Sequence, residues 1–125
     1  MMERIEEFTR DGENFIYIDL SGLTTDKELV EVTRVVETVF KKYPLNSVYT
    51  ITNISNTRFD SEIKDIAVKY MENNKPYVKG GAIIGVDGIK KVLSNEIINN
   101  SGREKLLFAF SKEQAVELLM KKETP

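Results

Sequence analysis

The hydrophobic positions of this chain change period along its length, and each change marks an element. Residues Arg4 to Arg10 and Asn14 to Leu20 flank Asp11-Gly12, a dipeptide suited to the positive φ angles of a tight turn, so the chain opens with a β-hairpin. The first arm is mostly polar and belongs on a sheet edge, while Phe15-Ile16-Tyr17-Ile18-Asp19-Leu20 belongs further in. Thr25-Asp26-Lys27-Glu28 has the spacing of a capping box. Behind it Val32, Val35, Val36, Val39 and Phe40 recur at helical intervals, until Lys41, Lys42 and Pro44 end the helix. Ser47 to Asn53 alternates, with Val48, Thr50 and Thr52 on one face and Tyr49, Ile51 and Asn53 on the other, as a strand does. Asp60 is placed to cap a second helix with the stripe Ile63, Ile66, Ala67, Tyr70 and Met71, closed by Asn73-Asn74 ahead of Pro76.

Lys75 to Gly88 is the stretch around which the others arrange themselves. Its Val78 to Val86 core is apolar without alternation, the mark of a strand covered on both faces, and Gly80, Gly81 and Gly85 let neighbouring groups come close. Asp87 can cap a third helix with Ile89, Val92, Leu93 and Ile97 inside, ending at Gly102. Lys105 to Phe110 reads as a last strand, and Ser111-Lys112-Glu113-Gln114 is a second capping box opening a final helix with Ala115, Val116, Leu118 and Leu119 inside. Strands separated by single helices run parallel. The expected fold is therefore α/β: a single domain over residues 1–125, built on a mixed, mainly parallel sheet of five strands, with an N-terminal antiparallel hairpin strand and four helices. Only Lys121 to Pro125 are expected to fray.

Composition narrows the chemistry. With 125 residues, 41% hydrophobic and 30% charged, the chain suits one ordinary core. It has no cysteine and no histidine, which excludes within one chain a disulfide, a Cys-His pair, a Ser-His-Asp triad and a histidine-ligated zinc site. No run reaches a membrane span, and the charged start lacks the apolar stretch of a secretory signal, so a cytoplasmic location is expected. The net charge of −2, negative in the first half and positive over residues 64–105, argues against a general nucleic-acid binder.

In open α/β sheets ligands gather beyond the carboxyl ends of the strands. Four loops fall there: Ser21 to Thr25, Asn53 to Ser61, Gly85 to Gly88 and Phe110 to Lys112. The second is the longest and most polar, and Asn53, Ser55, Asn56, Thr57, Arg58, Asp60 and Ser61 form the candidate interaction loop. Gly85-Val86-Asp87-Gly88 matches neither a P-loop nor a dinucleotide fingerprint, and Asp87 would repel an anion, so a structural turn is the better reading and no cofactor is expected. Asp19 and Asp60 have no spacing that joins them as an acid/base pair.

The segments Tyr17-Ile18-Asp19-Leu20-Ser21-Gly22-Leu23, Arg58-Phe59-Asp60, Asn74-Lys75-Pro76-Tyr77-Val78-Lys79, Gly85-Val86-Asp87-Gly88 and Ser101-Gly102-Arg103, in this order, resemble the SpoIIAA-like family of small bacterial proteins over nearly the whole chain. That family is related in fold to STAS domains, the anti-sigma-factor antagonists, and more loosely to the Sec14-type lipid-binding fold. The resemblance implies a mixed sheet with its first strand antiparallel. In the antagonists the helix after the third strand begins Asp-Ser-Ser-Gly, and the serine after the aspartate is phosphorylated. Asp60 and Ser61 match, making Ser61 the candidate phosphorylation site, while Glu62 and Ile63 stand where the antagonists have the second serine and the glycine.

Two functions are compatible with these residues. One is a non-enzymatic regulatory or protein-interaction module of STAS/SpoIIAA-like type working through the Asn53 to Ile63 loop and helix face. Its expected partners are a protein, or a second copy bound through the polar edge strand or an exposed helix face. The other is a small carrier of an apolar or lipid-like ligand, held between sheet and helices near Tyr17, Phe59, Tyr77 and Ile84.

Overall fold

The computed structural model describes residues 4–57, 61–86 and 106–121. The hairpin comes first. Strands β1 (Ile5–Arg10) and β2 (Glu13–Asp19) pair antiparallel from Ile5 opposite Ile18 to Arg10 opposite Glu13. Between them Asp11 has φ +53° and Gly12 +81°, the paired positive values of a type I′ turn, which is why this dipeptide sits there. Helix α1 (Asp26–Phe40) follows, then β3 (Val48–Asn53), α2 (Ser61–Asn74), a single 3₁₀ turn at Lys75–Tyr77, β4 (Val78–Ile84), β5 (Leu106–Ala109) and α3 (Lys112–Lys121).

The sheet runs β1-β2-β3-β4-β5, with every pair after the hairpin parallel. The mixed five-stranded sheet is the expected one. Three α-helices are found among the described residues instead of four, and the helix expected from Asp87 to Gly102 lies outside them. Strand order advances without reversing, so a topological switch point, where the ligand rule for open sheets is sharpest, does not exist in this sheet.

The N-cap half of each capping box forms, and the third residue's side chain returns to a different donor. The Glu28 amide donates to Thr25 Oγ1 at 3.2 Å and the Thr25 hydroxyl to Glu28 Oε1 at 2.9 Å, opening α1. At α3 the Gln114 amide donates to Ser111 Oγ at 3.1 Å, while the Gln114 side chain accepts from the Phe110 amide at 2.6 Å. Each cap satisfies one amide, that of Glu28 or Gln114, that a helix start leaves without a partner.

Helices cover both faces of the sheet. On one face Ile16, Ile18 and Val48 meet Leu29, Val32, Val36, Val39 and Phe40 of α1 and Ile63 of α2. On the other Phe15, Tyr49, Ile51, Ala82, Ile84 and Ala109 meet Ala115, Val116 and Leu119 of α3. β4 is interior, paired on both edges, as the unbroken apolar run predicts, but Val78, Lys79 and Gly80 at its start are only half-buried. Pairing jumps from Val48–Val78 to Tyr49–Gly80, so Lys79 is the extra residue of a bulge. Its ammonium lies 4.8 Å from the Tyr49 ring centre and pairs with Glu13. Gly80 permits this: a Cβ there would stand 3.0 Å from the Tyr49 ring and 3.4 Å from Leu119. Tyr49 continues a stack through Phe15 to Phe8, with ring centres 5.1 Å apart at each step.

The edge strand is held from both faces, because successive residues of a strand point to opposite sides. Glu6 pairs with Lys112 of α3, whose ammonium also lies 4.7 Å from the Phe8 ring centre and 5.2 Å from that of Tyr17. Glu7, its neighbour, accepts from Lys42 Nζ at 3.0 Å and from the Tyr43 hydroxyl at 2.6 Å. The Tyr43 hydrogen bond, with Lys42 beside it, lowers the Glu7 pKa below 4.5, while burial and the bond to Glu7 raise that of Tyr43 to about 12.

Glu7 therefore adds stability above its unfolded pKa that is lost as acid protonates it, and Tyr43 adds stability below pH 10.0 that is lost as pH climbs towards about 12. Urea midpoints measured across pH should show both limbs. Glu7→Gln is expected to flatten the acid limb, and Tyr43→Phe to flatten the alkaline one. The stabilisation involved is small, about 0.2–1 kcal/mol for so exposed a group.

Candidate functional site

The parallel strands end together along one edge, and the loops leaving them are tied to one another by main-chain bonds. The Leu20 amide donates to Asn53 O at 2.9 Å, Gly22 to Ser55 O at 2.9 Å, and Ile54 to Ile84 O at 2.9 Å. These bonds extend the sheet pattern beyond the strands, so the loops after β2, β3 and β4 form one layer.

Within that layer the predicted residues have distinct jobs. Asn53, half-buried at the end of β3, accepts the Ser55 amide at 2.9 Å and donates its own amide to the Tyr17 hydroxyl at 3.0 Å. This Asx turn bends the chain out of the strand. Ser55 is half-buried, and Asn56 is exposed with φ +59°, a left-handed conformation that asparagine tolerates better than most residues. Thr57 is buried, 6% exposed, and its hydroxyl donates to Leu20 O at 2.7 Å. Its place is thus an anchor beneath the loop, not a surface contact. Ser61 is the first residue of α2. Arg58, Phe59 and Asp60 lie outside the described residues.

Gly85 fixes the depth at which this layer sits. It has φ +87°, and a Cβ there would fall 2.2 Å from Ser55 Oγ and 2.6 Å from the Ser55 amide nitrogen. Only glycine fits such a conformation against a neighbouring backbone without displacement. Beside it opens a crevice of about 200 Å³, lined by Ser55, Gly85, Val86, Phe108 and Phe110. Phe110 is 92% exposed.

The sequence places Phe110 at the end of a strand and at the head of the Phe110 to Lys112 loop, without marking its ring as exposed. The signal for its exposure is its place immediately before the capping serine, outside both the strand alternation and the inward stripe of α3. Asp19 proves to be structural as well: its carboxylate accepts the Ser21 amide at 2.9 Å, while Arg4 Nη1 donates to the carbonyls of Asp19 and Ser21, each at 3.0 Å. Among the described residues no group of three or more acidic side chains could hold a metal ion. The shifted Glu7 and Tyr43 sit beyond the opposite end of α1.

The described carrier residues do not all come together. Tyr17 and Ile84 belong to the α3 side of the sheet, Tyr77 stacks on Phe40 on the other side with ring centres 5.8 Å apart, and Phe59 is outside the described residues. A partly open pocket lies elsewhere among the described residues, between the sheet and α2, with Ile18, Phe40, Ile54, Tyr70, Asn74 and Ile83 among its walls.

No protein-family model matches the chain, and no curated protein does. Among solved structures it is similar to an uncharacterized protein of the DUF3478 family with a SpoIIAA-like fold, from Shewanella loihica PV-4. The likeness has a TM-score of 0.69 and covers 92% of this chain and 91% of that one, at 14% identity. The protein thus has a SpoIIAA-like fold, as the residues quoted above imply. No helix among the described residues is long and apolar enough to cross a membrane.

Two substitutions test the layer. Gly85→Ala is expected to cost more than about 2 kcal/mol in urea unfolding, from the left-handed strain and the collision with Ser55. Thr57→Val keeps the shape but leaves the buried Leu20 carbonyl without its side-chain donor. It should cost about 1–3 kcal/mol, with faster hydrogen exchange at residues 54 to 57.

Proposed function

We propose that this protein is a non-enzymatic interaction module of STAS/SpoIIAA-like type that binds a protein partner at the carboxyl edge of its parallel strands. The observation that carries the reading is Phe110, an aromatic ring 92% exposed beside a crevice and next to a loop already held in one shape. Interfaces draw most of their energy from a few large side chains, aromatic ones prominent among them, surrounded by polar groups that exclude water. Ser55 and Asn56 supply polar groups of that kind here. A loop fixed by Thr57, Asn53 and the Gly22–Ser55 bond has little conformational entropy left to lose on docking.

Ser61 opens α2, and a phosphate added at a helix N-terminus would bring about two negative charges to this edge without breaking the fold. Phosphorylation of Ser61 is thus a switch this reading allows. Absence of histidine and cysteine supports a binding role over a catalytic one.

The test is affinity capture from the native cell with wild-type protein, Phe110→Ser and Ser61→Asp in parallel, folding of each being checked by circular dichroism. A partner held by wild type and weakened at least tenfold by Phe110→Ser is the expected result. Capture that ignores Phe110→Ser, or no specific partner at all, overturns the proposal.

A further inference from the structure

Between the sheet and α2 lies a pocket of about 80 Å³, partly open at the surface. Its walls are mostly aliphatic and aromatic, and none of the described residues lining it carries a charge. Asn74, the last residue of α2, is one of them. The side chain is 3% exposed, and its Nδ2 is buried with no hydrogen-bond partner in the protein.

Such an amide is costly. Leaving a buried donor unsatisfied forfeits about 1–3 kcal/mol, and an apolar residue of similar shape would avoid that loss. An acceptor entering the cavity would recover it. A water molecule fits by volume, but it needs two to four polar partners to be held well, and walls of this composition provide few.

We propose that this cavity is a binding site for a small, neutral, aliphatic molecule bearing one carbonyl oxygen, which accepts a hydrogen bond from Asn74 Nδ2. Size follows from the volume: an apolar cavity of about 150 Å³ takes benzene, so this pocket holds about three or four non-hydrogen atoms. Neutrality follows from the walls, since the described lining residues offer a carboxylate no counter-ion, and desolvating one there costs more than one amide returns. Ketone, ester and amide carbonyls meet both conditions. The site is separate from the interaction edge and does not depend on it.

Acetone and 2-methylpropene make the test, because they share a shape and differ in carrying an oxygen or a methylene group. The full-length protein is titrated with each while the Asn74 side-chain amide and the Met71 methyl are followed by NMR. Saturable shifts with acetone, at least threefold tighter than with 2-methylpropene, are expected. Asn74→Leu should weaken acetone about fivefold, as for the loss of one hydrogen bond, and leave 2-methylpropene unchanged or tighter. Ala67→Leu, which fills the space and spares Asn74, should abolish both. A parallel titration with 2-heptanone distinguishes sources: binding assigns the cavity to the carbonyl end of a longer chain, and exclusion to a free small molecule. No saturable shift with any ketone, acetone binding that survives Asn74→Leu unchanged, or an ordered water at Asn74 that acetone does not displace overturns the proposal.

Discussion

Strand β3 has to be buried on both faces at once. Val48 and Ile51 are each fully buried, yet they point into different cores, one beneath α1 and α2 and the other beneath α3. A strand in this position has its backbone bonds satisfied by β2 and β4 and its side chains by both helical layers. Cavities left in either core are not easily closed, because the strand cannot shift towards one layer without pulling away from the other. The bulge at Lys79, the glycine at 80 and the Phe8-Phe15-Tyr49 stack are local adjustments around this fixed centre.

Much of this was legible in the residues. The hairpin followed from Asp11-Gly12, whose φ values are the ones the turn demands, and both helix starts followed from their capping boxes. Alternation in β3 sorted its side chains correctly between the two cores. Less legible was whatever depended on distant partners. Glu6 and Glu7 look alike in sequence, and only the helices packed on either side of β1 give them different lysines. The order of strands, too, depends on how crossovers stack, which periodicity does not encode.

The candidate loop shows the same division. Its polarity marked it out, but polarity does not separate a residue that faces a partner from one that holds the loop in place. Thr57 and Asn53 have the composition of a recognition surface and serve as internal struts, whereas Phe110, apolar and adjacent to a strand, is exposed. Asn74 was read as a helix terminator. That role is correct, and the burial of its amide in an apolar wall is a property of the fold and not of the local sequence.

Because strand order advances steadily, the loops after β2, β3, β4 and β5 stand side by side in chain order along one rim. Neighbouring strands are about 4.8 Å apart, which makes the rim about 14 Å long. That length accommodates some nine residues of a helix lying across it, or about four of an extended chain. A flat protein surface of standard size needs about 800 Å² from each partner, more than a ledge of that length offers. Whatever docks here with high affinity must therefore either be a narrow element seated along the ledge or bend down over α2 or α3 to gain area.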